Sequence, residues 1–281
     1  MVPMRATPSR HISLCVVIAC IQLMLASAAG PDDVSSLEEL FQQHGTDKQA
    51  MGHAYVHAYS MLLGPWRHDV RSLLEVGIGT VNSSFSANMG AYSSRRKYMP
   101  GASLRSWRAF LPNARIVGLD LDASAARAAA DPQQRLEAYG VDTTSAKAVA
   151  ALDLTEGGKK PFDVIIDDGL HTWAGQQATL LTLWPLVREG GFYFIEDVLM
   201  GDIMKHATPG GPNPAMGSTS PQALAILREG GGYALSLDAF WGRLSKRRYS
   251  SIIALQKPKR DWPRLYGGDK GIPRESGAAA H

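Results

Sequence analysis

Asp167-Asp168 and Glu196-Asp197 each close a short apolar run, and His171 stands three residues after Asp168. Carboxylates gathered at one place cannot all stay charged unless something cationic sits among them. Hard oxygen ligands of this kind suit Mg2+, Mn2+ or Ca2+ better than zinc. A metal is the simplest neutraliser, and a histidine beside it is well suited to moving a proton near neutral pH. A single acidic pair at a strand end would more simply cap a helix or face water. Two such pairs with a histidine point to a site.

What must position them is a strand, a helix and a second strand. Phe162 to Ile166 and Phe192 to Ile195 are apolar runs too short for helices and rich enough in β-branched and aromatic residues to be buried strands. Ala174 to Val187 places Ala178, Leu181, Trp184 and Leu186 or Val187 near helical spacing, and Gly190-Gly191 reads as the stop after it. Trp173 and Trp184 read as packing residues. A right-handed crossover puts both strands in one parallel sheet with their C-terminal ends on one edge, so the four carboxylates become neighbours.

Upstream the same alternation repeats. Leu73 to Val76 is a strand running into Glu75-x-Gly77-x-Gly79, where glycines let backbone approach a ligand. The third glycine of a dinucleotide fingerprint is missing, which argues against NAD. A helix over Ala102 to Phe110, a strand over Arg115 to Leu119 ending in Asp120, a helix over Ala123 to Ala130, a strand over Leu136 to Val141 ending in Asp142, and a helix over Ser145 to Leu152 follow. Asp120 is placed to accept hydrogen bonds from a ribose diol. Before these, a helix spans Asp33 to Gln43 with Ser35 or Ser36 as its cap, and Tyr55 and Tyr59, like His53 and His57, share a helix face. Pro221 to Arg228 suggests a helix, and Tyr233 to Leu237 and Ser250 to Gln256 suggest an antiparallel hairpin closing the sheet edge. The whole is an open α/β sheet: Rossmann-like, doubly wound, mostly parallel, with an antiparallel C-terminal hairpin.

The chain has 281 residues and a formal charge of +3, with basic clusters only at Arg95-Arg96-Lys97 and Lys246-Arg247-Arg248. Nucleic acid is therefore not suggested as a partner. Residues 1–30 read as a signal peptide or signal anchor: Arg5 and Arg10 precede an apolar run from Ile12 to Leu25, and Ala26-Ser27-Ala28 resembles a cleavage site. That predicts the secretory pathway or the extracellular space, with a type II anchor in an internal membrane as the alternative. Both cysteines, Cys15 and Cys20, lie inside this segment, so a cleaved chain forms no disulfide. Asn82-Ser83-Ser84 matches a glycosylation acceptor pattern. The loops over Asn82 to Pro100 and Met200 to Pro221 are placed to select an acceptor, and residues 258–281 read as a disordered tail after a domain over 31–257.

LLEVGIGT, PGASLRSWRAFLPNARIVGLDLD, FDVIIDDGLHTW and GGFYFIEDV together resemble class I S-adenosylmethionine-dependent methyltransferases. The resemblance is to the metal-dependent macrocin and mycinamicin sugar O-methyltransferases and the cephalosporin-hydroxylase-like group, and GTDK followed by His53, Tyr55 and Tyr59 fits it as well. It implies that Glu75, Gly77 and Gly79 shape the methionine end of the cofactor pocket, with Asp120 on the ribose and Asp142 near adenine. Thr46 and Lys48 would contact the cofactor from below, and Asp167 would face it or lie behind the metal. Asp168, Glu196 and Asp197 would hold Mg2+ or Mn2+, and His171 would be the base. Leu170 stands where many relatives carry Ser. The implied acceptor is a hydroxylated small molecule or glycan. A divergent hydroxylase-like enzyme, a non-catalytic binding protein and a homo-oligomer stay open.

Overall fold

The computed structural model describes residues 31–50, 52–85, 88–89, 98–198, 220–229, 233–236 and 251–259. The leader over residues 1–30, much of the 82–100 loop, nearly all of the 200–221 loop and the tail from 260 lie outside the described residues.

Strands β1 (Ser72–Val76), β2 (Arg115–Asp120), β3 (Leu136–Gly140), β4 (Phe162–Asp167), β5 (Val187–Ile195), β6 (Tyr233–Ser236) and β7 (Ser251–Gln256) form one sheet in the order β3-β2-β1-β4-β5-β7-β6. The five strands from β3 to β5 run parallel, and β7 is antiparallel to both β5 and β6. This is the doubly wound arrangement with a C-terminal hairpin that the sequence predicts. The order reverses between β1 and β4, and ligands bind open α/β sheets at such a switch point, beyond the strand C-termini.

The helices are α1 (Pro31–His44), α2 (Tyr55–Leu63), α3 (Ala102–Phe110), α4 (Ala123–Ala129), α5 (Ala146–Ala150), α6 (Trp173–Leu183) and α7 (Pro221–Glu229). Neighbouring residues of each central strand feed opposite cores, because strand side chains alternate. Leu73, Ile116, Val164 and Phe194 pack with Phe41 of α1, Tyr59 of α2 and Trp107 of α3. Leu74, Val117, Ile165 and Tyr193 pack with Val149 of α5 and Trp173, Leu180 and Leu183 of α6. Trp107 anchors the first core, meeting Phe41 and Tyr59 edge-on at ring-centroid distances of 5.2 and 5.0 Å. Trp173 and Trp184 are buried in the second, as packing residues.

Boundaries differ from the sequence reading at several elements, most instructively at α1, α6 and β5. Helix α1 starts at Pro31, a residue preorganised for a first helical turn, so Ser35 and Ser36 lie inside it rather than at its cap. Helix α6 ends at Leu183, followed by a 3-10 turn over Trp184–Leu186 whose Pro185 cannot continue the α-helical ladder. Gly190-Gly191 is therefore not the helix stop. The pair lies within β5, where the register against β4 shifts between Phe162 and Val164 and Gly190 takes φ +76°. The reason is close approach: a Cβ on Gly191 would lie 2.8 Å from the Asp163 carbonyl oxygen, and Gly190 N–H donates to the Lys257 carbonyl at 2.7 Å.

Candidate active site

The turn after β1 is built around close backbone contact. Gly77 takes φ +77°, and a Cβ there would lie 1.9 Å from the Asp168 carbonyl oxygen, so only glycine lets the β1 turn and the end of β4 touch main chain to main chain. Asp120 at the end of β2 braces the same turn: Oδ2 accepts the Ile78 N–H at 3.0 Å and Oδ1 the Asp122 N–H at 2.8 Å. Asp122 caps α4 and receives the Thr80 hydroxyl at 2.5 Å; hydrogen bonds from Ser124 and Thr80 hold its carboxyl down at about 2. Gly79 faces Tyr98, whose hydroxyl donates to the Ile78 carbonyl at 3.3 Å. A cavity of about 240 Å³ opens over these strand ends, bordered by Gly77, Gly79, Asp120 and Asp142 on one side and Asp168, His171 and Asp197 on the other.

Beneath it lies a buried ionic cluster. The Lys48 ammonium, with 2% of its side chain exposed, donates to Asp168 Oδ2 and to Glu196 Oε2, each at 2.6 Å, and lies 3.3 Å from Glu75 Oε1. Tyr59 donates its hydroxyl to Glu196 Oε1. The sequence asks for a cation among gathered carboxylates, and within the protein Lys48 supplies one. Burial works against the ammonium, but the charges of Asp168, Glu196 and Glu75 outweigh it and raise its pKa well above the usual lysine value. One ammonium cannot balance three buried carboxylates. Burial accordingly pushes Glu75 up to about 7 and Glu196 upward. Burial also acts against ionised Asp168, yet Lys48 and His171 bring it to about 2.

Above this cluster Asp168, His171 and Asp197 form a second group, whose potential ligand atoms lie within 4.8 Å of one another. His171 Nε2 is 3.3 Å from Asp168 Oδ1, and Nδ1 is 3.2 Å from Asp197 Oδ2. The cap of α6 is Thr172, whose hydroxyl accepts the Gly175 N–H at 3.2 Å. Capping is thus not what His171 is for. Burial acts to lower the imidazole pKa, but the Asp168 hydrogen bond and the two carboxylate charges prevail and lift it to about 9. The two hard carboxylate oxygens of Asp168 and Asp197, open toward a cavity, fit Mg2+ or Mn2+, with His171 beside them. Asp197 stands at φ +51°, and Tyr55 donates its hydroxyl to Asp197 Oδ1 at 2.6 Å.

The four carboxylates do not converge as one set. Asp167 turns to the other face of the sheet, where it accepts the Gly169 N–H at 3.2 Å and the Tyr193 hydroxyl at 3.3 Å, and burial lifts it to about 7. Glu196 has both oxygens engaged by Lys48 and Tyr59, below the Asp168–His171–Asp197 group. Thr46 borders the cavity and accepts the Lys48 N–H at 3.4 Å, while Asp142 binds the Thr144 N–H and hydroxyl at 2.9 and 2.6 Å. Glu75 lies behind the cavity wall, its carboxylate toward Lys48. Sequence reasoning passed over Tyr98, which stands in an aperiodic loop, and over the contacts of the Tyr55 and Tyr59 hydroxyls, though the helix-face pairing of those tyrosines signals that they act together.

Residues 99–198 match a family described as a methyltransferase domain. The chain is 31% identical over 178 residues to the 8-demethyl-8-(2-methoxy-alpha-L-rhamnosyl)-tetracenomycin-C 3'-O-methyltransferase of Streptomyces olivaceus, covering 63% of this chain and 39% of that protein. It is 29% identical over 163 residues to the mycinamicin VI 2''-O-methyltransferase of Micromonospora griseorubida, covering 58% of this chain and 36% of that protein. The match thus spans less than half the length of these relatives. The fold resembles that of the MycE methyltransferase of the mycinamycin pathway, solved in complex with Mg and SAH: TM-score 0.54, 24% identity, 86% of this chain and 58% of that one.

Proposed function

We propose that the chain is a class I methyltransferase that moves a methyl group from S-adenosylmethionine to a hydroxyl of a sugar, glycan or glycosylated metabolite, with Mg2+ or Mn2+, a reading supported by its doubly wound sheet and by the methyltransferase-domain match over residues 99–198. The observation that carries this reading is the Asp168–His171–Asp197 group facing the cavity at the switch point. The relatives named above, one a 3'-O-methyltransferase of a rhamnosyl tetracenomycin and one a 2''-O-methyltransferase of mycinamicin VI, support the acceptor class.

Methyl transfer is an in-line displacement, so the protein must orient the acceptor oxygen and remove its proton. A divalent cation, when bound, would acidify the acceptor hydroxyl and offset the carboxylate charge around it. Asp168 and Asp197 would hold that cation. His171 is 39% exposed beside them; its rise to about 9, against burial, comes from the neighbouring carboxylates, and with their charge offset it would take the acceptor's proton at a ring nitrogen. Asp120 and the Gly77 to Gly79 turn frame the cofactor side, and Lys48 keeps Asp168 ionised from beneath. Leu170, half-exposed next to His171, gives the acceptor side an apolar rim suited to the non-sugar part of a glycosylated compound. We further propose a secretory-route location, supported by the composition of residues 1–30 and tested by N-terminal sequencing of the recovered chain.

The test is transfer of labelled methyl from S-adenosylmethionine to a panel of rhamnosides and glycosylated polyketides, with Mg2+ and with EDTA. Label in an acceptor hydroxyl, lost with EDTA, is the expected result. No label in any acceptor, with no calorimetric binding of S-adenosylhomocysteine, would overturn the proposal.

A further inference from the structure

Asp197 stands at φ +51°, a left-handed backbone conformation uncommon for a residue with a side chain. Ala54, the residue before Tyr55, is also left-handed, at φ +61°. Strain on both sides of one contact persists only where the surroundings impose it. What joins them is a single hydroxyl. Tyr55 Oη donates to Asp197 Oδ1 at 2.6 Å and accepts the Asp197 N–H at 2.9 Å, closing a ring that fixes backbone and side chain together. His53 lies flat on the Tyr55 ring at 5.5 Å, its Nδ1 3.2 Å from the same Oδ1. Oδ2 is left pointing at His171, 3.2 Å away.

The three carboxylates are held in chemically different ways. Asp168 and Glu196 are bonded by an ammonium, which cancels charge as it positions them. Asp197 Oδ1 is bonded by a phenol, a neutral donor, with His53 beside it and His171 facing Oδ2. A neutral donor orients an anion without neutralising it. The phenol therefore leaves the Asp197 charge in place, with one oxygen tied back and the other aimed into the group with Asp168 and His171.

We propose that Tyr55 is a positioning residue for the divalent cation: its hydroxyl locks Asp197 in the left-handed conformation and aims Oδ2 into the Asp168–His171–Asp197 group. This rests on the metal-dependent reading above. It differs from a mere tether of α2 to the end of β5, which would serve stability alone.

The experiment is a Mn2+ titration of the full chain and of Tyr55→Phe, following free Mn2+ by electron paramagnetic resonance. S-adenosylhomocysteine binding is measured on the same samples by calorimetry, and affinities are referred to the fraction that binds it, so that partial unfolding cannot imitate lost affinity. Losing a hydrogen bond behind a metal ligand typically weakens metal binding about 10–100-fold. Expected is a weakening of that order for Mn2+, an S-adenosylhomocysteine affinity within about twofold of wild type, and methyl transfer recovered at higher Mg2+. Mn2+ affinity unchanged within twofold, even with a lowered melting temperature, would reduce Tyr55 to a tether and overturn the proposal. A wild-type chain that binds no Mn2+ would overturn the cation reading itself and this inference with it.

Discussion

Lys48→Met removes the one ammonium that Asp168 and Glu196 share, each at 2.6 Å, and that lies 3.3 Å from Glu75, while leaving a side chain of similar length in its slot. Little cavity is created, so the electrostatic loss dominates. Removing one partner of a buried ion pair costs about 3–5 kcal/mol, because an uncompensated charge stays behind. At roughly 2–4 °C per kcal/mol for a domain of this size, the melting temperature should fall on the order of 10 °C near pH 8. The loss should shrink at pH 5. Without the ammonium the buried carboxylates hold protons more tightly still, and a folded pKa above the unfolded one gives stability that is present at low pH and fades as pH rises through the folded value. Glu75, already at about 7 with Lys48 present, moves further in that direction. Differential scanning calorimetry of wild type and variant at pH 5 and pH 8 makes the comparison. A fall of less than about 2 °C at pH 8, or equal losses at the two pH values, would refute the claim that Lys48 balances the cluster.

His171→Ala should cut methyl transfer by about 10²–10⁴-fold with S-adenosylhomocysteine binding retained, measured by single-turnover label transfer and calorimetry. Asp167 has a folded pKa raised to about 7, so its ionisation takes away stability as pH climbs from about 4 toward 7. Asp167→Asn should therefore melt over a flatter pH profile and at or above the wild-type temperature at pH 8. Gly77→Ala should leave little folded protein, because its Cβ would meet the Asp168 carbonyl oxygen at 1.9 Å, whereas Gly157→Ala, also at positive φ but facing open space, should cost only about 1 kcal/mol in urea unfolding.

The sequence made most of the scaffold legible because buried parallel strands are nearly continuous apolar runs, and Leu73 to Val76 or Phe162 to Ile166 have few other readings. Helix α3 was delimited to the residue, from Ala102 to Phe110, with Pro112 just beyond it. Gly190-Gly191 misled because a glycine pair after a helix pattern looks alike as a stop or as a bulge, and only the neighbouring Lys257 and Asp163 backbone decides. The role of Lys48 was hidden by distance along the chain: its carboxylate partners lie 120 and 148 positions away. The separation of Asp167 from Asp168 was legible in principle. Consecutive residues leaving a strand face opposite ways, and that parity outranks their shared chemistry.

That parity makes the site a reporter of its own assembly. Two identical neighbours become a carboxyl that burial pushes up to about 7 and a carboxylate that, despite burial, Lys48 and His171 bring down to about 2, because the pleat at the end of β4 sends them to different surroundings. A slip of one residue in that strand would exchange them, presenting the reluctant acid to the cavity and burying the willing anion under the second core. A misregistered molecule would then be silent, not promiscuous. Under the proposed methyl transfer, turnover per molecule would then count the sheets in which β4 is correctly paired.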